Sequence, residues 1–350
     1  MPNQDCQPYL PPEWAPQSGV MLTWPHDQGD WSQRLTEVEP VFVEIARHIA
    51  SEEIVLIVCR DHAHKAHVGN LLQTAGISQD STRLAIAPSN DTWARDHGPL
   101  TVVCRQQPLM LDFQFNGWGN KYPSDQDNAI NRILSMANVF GDTPMETVDM
   151  VLEGGSLEVD GSGTLLTTEH CLLSPTRNPN LSREEIEQRL AERFGIERFL
   201  WLNRGQLEGD DTDGHIDTLA RFCDRDTIAY QSCDDPADNH YLELQVMEQE
   251  LQAFRTITGD PYRLVALPWP RAIYNDEGER LPATYANFLI INNKVLVPTY
   301  RDANDDKALE RLRPCFPDRQ IIGIDCLPIV HQYGSLHCLT MQLPAGVISG

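Results

Sequence analysis

The sequence predicts an α/β fold assembled from repeated β-β-α-β modules, and three observations carry that prediction. Residues 156–202, 215–267 and 287–324 each read strand, strand, helix, strand, a period at which internal repeats are to be sought. The strands in these copies are short apolar or alternating runs, and the helices place apolar residues three and four apart. No polar linker separates the copies, and 350 residues suffice to bury a large core. A single domain over residues 1–350 is the expectation.

Taken in order, the Pro-rich stretch 10–16 reads as an irregular arm over the body. Residues 20–24 read as a strand stopped by Pro25, 31–50 as a helix, and 54–58 as a fully apolar strand. His62, His64 and His67 fall in the next helix, where His64 and His67 have a spacing that could hold a metal. They lack a companion ligand beyond Asp61, and an exposed basic face explains them as well. Strands at 83–87 and 100–103 flank Asn90-Asp91-Thr92-Trp93-Ala94-Arg95-Asp96-His97-Gly98-Pro99, which is too rich in charge and aromatic groups for a plain connector. Phe113–Gly119 suits a pocket wall or a tight turn.

The first clear copy has strands at 156–159 and 165–168, a helix at 182–194 and a strand at 198–202. Ser182 with Glu185 makes a capping box for that helix. The second has strands at 215–222 and 227–231, a helix at 241–254 and a strand at 263–267. The third has strands at 287–291 and 295–298, a helix at 305–312 and a strand at 320–324. Residues 268–279 look like a surface excursion, and Gly334–Thr340 would open a final, truncated copy.

Composition narrows the function. With 51 acids against 27 bases the formal charge is −24, which makes nucleic acid an unfavourable partner and a cationic ligand a favoured one. Hydrophobic residues make up 41% and charged residues 22%, ordinary for a soluble protein. No apolar run approaches a membrane helix, and Met1–Asp5 lacks the features of a secretory signal, so a cytoplasmic protein is expected. The nine cysteines form no Cys-x-x-Cys pair, which argues against a disulfide framework or a zinc ribbon.

The loops that open successive copies carry the chemistry. They deliver Glu153 with Gly154-Gly155, His215 with Asp217 after the acidic run Asp210-Asp211-Thr212-Asp213, and Cys338 after Gly334. If 215–222 is a strand, His215 and Asp217 share a face roughly 7 Å apart. His337 would face opposite Cys338 and is not its natural base. A cysteine and a histidine from separate strands suit nucleophilic catalysis. The surrounding carboxylates would suppress a thiolate in an empty site, and a cationic substrate would relieve that penalty. A guanidinium fits: it is planar, presents its donors in a fork, and has a central carbon open to attack.

These residues resemble the agmatine deiminases and their relatives, often called peptidyl-arginine deiminase-like. The resemblance runs from Glu13-Trp14-Ala15-Pro16-Gln17 through the 91–99 run, Glu153-Gly154-Gly155 and the 209–217 loop to His337-Cys338. It implies the pentein fold, a five-bladed propeller of β-β-α-β modules with pseudo-fivefold symmetry. It implies hydrolytic deimination of agmatine to N-carbamoylputrescine and ammonia through a covalent cysteine thiouronium intermediate, without cofactor or metal. Cys338 would be the nucleophile, His215 the general acid and then base, Asp96 and Asp217 the guanidinium ligands, and Glu153 the residue orienting His215. Trp93 and Trp118 would wall the substrate stem, with Asp91 and Asp211 near the distal amine or shaping the loop. The partner is thus a small cationic guanidino compound, with neither nucleic acid nor membrane, and the sequence is compatible with a homo-oligomer. Deimination of free arginine or peptidyl-arginine, amidino transfer to an amine, and guanidino binding without catalysis are the alternatives. A metallohydrolase is disfavoured because no Asp-x-His-x-Asp run occurs.

Overall fold

The computed structural model describes residues 7–348. The first module comprises β1 (Gln17–Thr23), α1 (Leu35–Ala50), β2 (Ile54–Cys59), α2 (His62–Thr74) and β3 (Thr82–Ile86). Helix α1 buries Val38, Val41, Phe42, Ile45, Ala46 and Ile49, the stripe its apolar spacing requires. The second module runs β4 (Leu100–Cys104), β5 (Gln107–Gln114), α3 (Ile130–Met136) and β6 (Met145–Val151). The third runs β7 (Glu158–Val159), β8 (Thr164–Thr168), α4 (Arg183–Phe194) and β9 (Arg198–Leu202). Ser182 and Glu185 cap α4 reciprocally, Ser182 Oγ accepting from the Glu185 N–H at 3.2 Å and Glu185 Oε2 from the Ser182 N–H at 2.8 Å.

The fourth module comprises β10 (Ala220–Asp224), β11 (Thr227–Gln231), α5 (Tyr241–Ala253) and β12 (Arg263–Leu267). A hairpin, β13 (Ile273–Tyr274) with β14 (Arg280–Leu281), fills the surface excursion. The fifth comprises β15 (Leu289–Ile290), β16 (Lys294–Thr299), α6 (Asp305–Leu312) and β17 (Gln320–Asp325), and β18 (Thr340–Pro344) ends the chain. In four modules the first strand pairs antiparallel with the second, which pairs parallel with the third. The remaining sheet has order β18-β1-β2-β3, with β18 antiparallel to β1 and β1 parallel to β2. The truncated last copy therefore supplies the missing first strand of the first module.

The openings of the modules correct the sequence reading. His215–Phe222 does not form one strand: a 3₁₀ turn occupies Ile216–Thr218, and β10 begins only at Ala220. The same holds at Ser156–Val159, where Gly154–Ser156 turns before β7, and at Cys338, where His337–Leu339 turns before β18. The expected strand 287–291 shrinks to Leu289–Ile290. Every residue of these turns is buried, apolar and polar alike, so the period-two alternation there does not mark a half-buried strand. The turn at Ala94–His97, ahead of β4, packs against those at Gly154–Ser156 and His337–Leu339, and Gly154–Ser156 packs against Ile216–Thr218. Asn287, ahead of β15, joins them by accepting the backbone N–H groups of His337 and Cys338 at 2.9 and 3.3 Å. One turn from each sheet thus reaches a common centre.

Candidate active site

At that centre Cys338 is 5% exposed and lines a cleft enclosing about 580 Å³, some of it open solvent. Its thiol lies 3.7 Å from Asp217 Oδ2 and receives an N–H from Asn287 at 3.3 Å. Burial, with Asp217 and Asp96 close by, pushes the thiol well above its usual pKa. Asp96 also lines the cleft. Its two oxygens are fixed by the Gly155 N–H at 3.0 Å and the Trp118 indole N–H at 2.9 Å. Burial raises its pKa to about 6, with Asp217 and Glu153 adding to the rise and His215 opposing it.

His215 is wholly buried between carboxylates, Nδ1 lying 3.5 Å from Asp96 Oδ1 and Nε2 3.6 Å from Glu153 Oε2. Burial alone would lower its pKa, but Asp96, Cys171 and Glu153 outweigh it and hold the ring well above the usual value. Both nitrogens are too far from these oxygens to count as hydrogen-bonded. Such contacts commonly tighten only when substrate arrives. Glu153 is anchored from behind by Arg177, whose Nε donates at 3.0 Å. Arg177 also donates to the Thr212 carbonyl at 2.9 Å and pairs with Asp213, tying the acidic loop to the site. Burial acts to raise the Glu153 pKa, yet His215 and Arg177 bring it below the usual range. Glu153, Cys171 and His215 place ligand-type atoms within 4.8 Å of one another. The Arg177 guanidinium already fills one side of Glu153, so a cation there would meet a resident positive charge.

Trp93, Trp118, Asp91 and Asp211 line the cleft with Asp96 and Cys338, while His215, Glu153 and Asp217 lie beneath it. Asp91 holds two indoles, accepting from Trp31 at 2.9 Å and Trp93 at 3.0 Å, and Asp211 accepts from the Tyr122 hydroxyl at 3.0 Å. Burial raises both carboxyls to a pKa of about 6. Trp118 adopts φ 55° and ψ 49°, a left-handed conformation uncommon for a bulky residue and of the kind found at functional loops. The Phe113–Gly119 stretch is therefore both tight turn and cleft wall.

Arg95 turns away from the cleft, donating to Gln342 at 2.5 Å and approaching Glu13 at 3.7 Å. The histidines of α2 have other work. Both ring nitrogens of His64 meet backbone, the Arg60 N–H at 3.0 Å and the Pro25 carbonyl at 3.1 Å, and His67 pairs with Glu39 at 2.7 Å. Among the described residues seven cysteines are free and buried, as expected of scattered thiols. Sequence reasoning missed Asn287, Arg177 and Cys171. Asn287 opens the third copy as read from the sequence, where the other copies carry their motifs, and that position was its available signal.

The model of the Porphyromonas-type peptidyl-arginine deiminase family matches residues 9–344. The chain belongs to this family. Members of the Porphyromonas-type peptidyl-arginine deiminase family are C–N hydrolases of the guanidino-modifying class, and this chain is such an enzyme. A Selenomonas ruminantium protein named "Putative agmatine deiminase" is 35% identical, with 96% of each chain covered. Among solved structures, the "Putative Arginine Deiminase" of Porphyromonas gingivalis is 50% identical, with a TM-score of 0.89 and 97% and 99% coverage. The agmatine deiminase of C. jejuni, with a cysteine replaced by serine and substrate bound, is 38% identical, with a TM-score of 0.89 and 98% of each chain covered. No helix among the described residues is long and apolar enough to cross a membrane.

Proposed function

We propose that the chain is a cytoplasmic agmatine deiminase, a step in polyamine metabolism, working at the hub of a single-domain five-bladed pentein propeller. The observation that carries the reading is the cleft itself. Asp30, Asp91, Asp96, Asp210 and Asp211 line it together with Cys338, and no lysine or arginine among the described residues does. A cation at both ends of the ligand suits such a lining, whereas the carboxylate of free arginine would find only like charge.

In this reading the guanidinium lies between Asp96 and Asp217, with its central carbon over Cys338 Sγ. The cation offsets the carboxylates that suppress the thiolate, so substrate activates its own nucleophile. Sulfur attacks the carbon, His215 gives its proton to the departing nitrogen, and ammonia leaves a covalent thiouronium. The now neutral His215 takes a proton from water as the oxygen attacks the same carbon. Collapse expels the Cys338 thiolate and leaves a ureido group as the proton of the added hydroxyl passes through solvent to the released ammonia, so guanidinium plus water gives N-carbamoylputrescine plus ammonium.

A second reading, free arginine as substrate, draws support from the printed name of the 50% identical P. gingivalis protein. Ammonia release from agmatine, arginine and a small arginyl peptide, assayed side by side, separates the two. Agmatine should turn over with a much higher kcat/KM than the others, and Cys338→Ser should abolish release. Preference for arginine, or activity surviving in Cys338→Ser, would overturn the proposal.

A further inference from the structure

His337 precedes the nucleophile in sequence but is aimed away from the cleft. Its Nδ1 donates to Asp217 Oδ2 at 2.8 Å and its Nε2 to Glu13 Oε2 at 2.6 Å, with all three residues buried. A neutral imidazole has one donor and one acceptor, so a ring bracketed by two carboxylates at these distances carries both protons. Glu13 comes from the N-terminal arm, more than three hundred residues away. It is itself held by the Arg221 guanidinium at 2.8 Å and the Ile290 N–H at 2.6 Å. Asp217 has its Oδ2 on His337, while its Oδ1 is buried with no hydrogen-bond partner at all.

We infer that Glu13 and His337 are positioning residues. The arm's carboxylate holds the His337 imidazolium, and that imidazolium holds Asp217 by one oxygen, leaving the other to grip the amidinium of the substrate beside Cys338. Burial tends to raise both carboxyl pKa values. Arg221 and His337 at Glu13, and His337 at Asp217, outweigh burial and keep both carboxyls below the usual range, so both stay ionised. Arg95 and Glu158 complete the charged surroundings, Arg95 against Glu13 and Glu158 paired with Arg221. A hydrogen bond between charged partners is shorter and more directional than a neutral one, which suits a group that must not move when substrate enters. The inference rests on the role proposed above for Asp217 and adds what fixes it.

The test compares two alkylating probes on Cys338 in the full chain, followed by peptide mass spectrometry. One is 2-chloroacetamidine, a cation that mimics the guanidinium, and the other is iodoacetamide, which is neutral. With either, the sulfur displaces halide from carbon and the thiol proton leaves to solvent. Wild type should favour the cationic probe. In Glu13→Gln and in His337→Gln, labelling by the cation should slow about tenfold or more, as for a lost charge-assisted hydrogen bond, while iodoacetamide labelling stays within about threefold. A merely structural defect would change both probes together. Equal loss for both probes, or an unchanged preference in both variants, overturns the inference. Wild type lacking any preference overturns the role of Asp217 itself, so the two failures are distinguishable. Glu13→Gln also disturbs Arg221, and His337→Gln keeps the test decisive where that variant folds poorly.

Discussion

Asp96, which is buried, and Asp91 and Asp211, which are half-buried, share one physical condition: carboxyls desolvated enough that their pKa rises to about 6 around a cleft lined with further acids. A raised carboxyl pKa means that the empty folded protein holds protons that the unfolded chain has released between about pH 4 and 6. These groups therefore subtract stability as pH climbs through that window. A bound cation reverses the preference by favouring the ionised form. Binding of an unreactive alkylguanidine to Cys338→Ser should tighten as pH rises from 5 to 7, with the bend near pH 6, measured by calorimetry in buffers of different ionisation enthalpy. Proton release on binding should be seen at pH 5.5 and fade by pH 7.5. Affinity independent of pH across this range would mean the carboxyls do not face the ligand. These residues were legible because their motifs are local. Glu13, Arg177 and His337 were legible as letters only, since their partners lie from 24 to 324 residues away and no local spacing encodes such contacts.

The regular elements were the easy part of the sequence. Strands β9, β11 and β12 and helix α6 begin and end where periodicity places them, because apolar residues there recur at the spacing each structure needs. The elements misread were the openings of the modules, where buried polar groups mimic strand alternation while the backbone turns. Close packing of these turns explains the Gly154-Gly155 pair. A Cβ on Gly155 would come within 2.4 Å of His215 Nδ1 and 2.8 Å of Asp96 Oδ1. Gly155→Ala should thus displace the imidazole and a carboxylate at once, and since misplacement of about 1 Å can cost about a hundredfold in rate, kcat/KM should fall by about that factor. The accompanying loss of stability should be the about 1–3 kcal/mol of an overpacked site, read from urea unfolding. Wild-type kcat/KM in Gly155→Ala would show that the turns do not set the site's geometry.

At the scale of the whole chain, the last strand completes the sheet that the first strand begins, with Val20 opposite Gln342 and Leu22 opposite Thr340. Cys338, the proposed nucleophile, sits in the turn His337–Leu339 that leads into that closing strand, so in the proposed mechanism closure of the sheet and placement of the thiol are one structural event. The sequence hinted at this through its truncated final copy, yet which strand would receive it was unreadable, because strand partners are set by tertiary packing. One apolar cluster links residues of β1, α1, β2, β15, β16 and α6 with Trp93 and Cys338. Chains of this length often unfold through intermediates. Here the shared cluster and the β1–β18 pairing oppose independent melting of modules. Urea unfolding followed by far-ultraviolet circular dichroism and by residual deiminase activity should give coincident curves. Leu343→Ala, which empties a fully buried position on β18, should shift both to lower urea together, by a stability loss of about 2–5 kcal/mol. If activity vanished at distinctly lower urea than the dichroism signal, closure would be a local fastening that opens by itself, and the fold would not be coupled to the placement of Cys338.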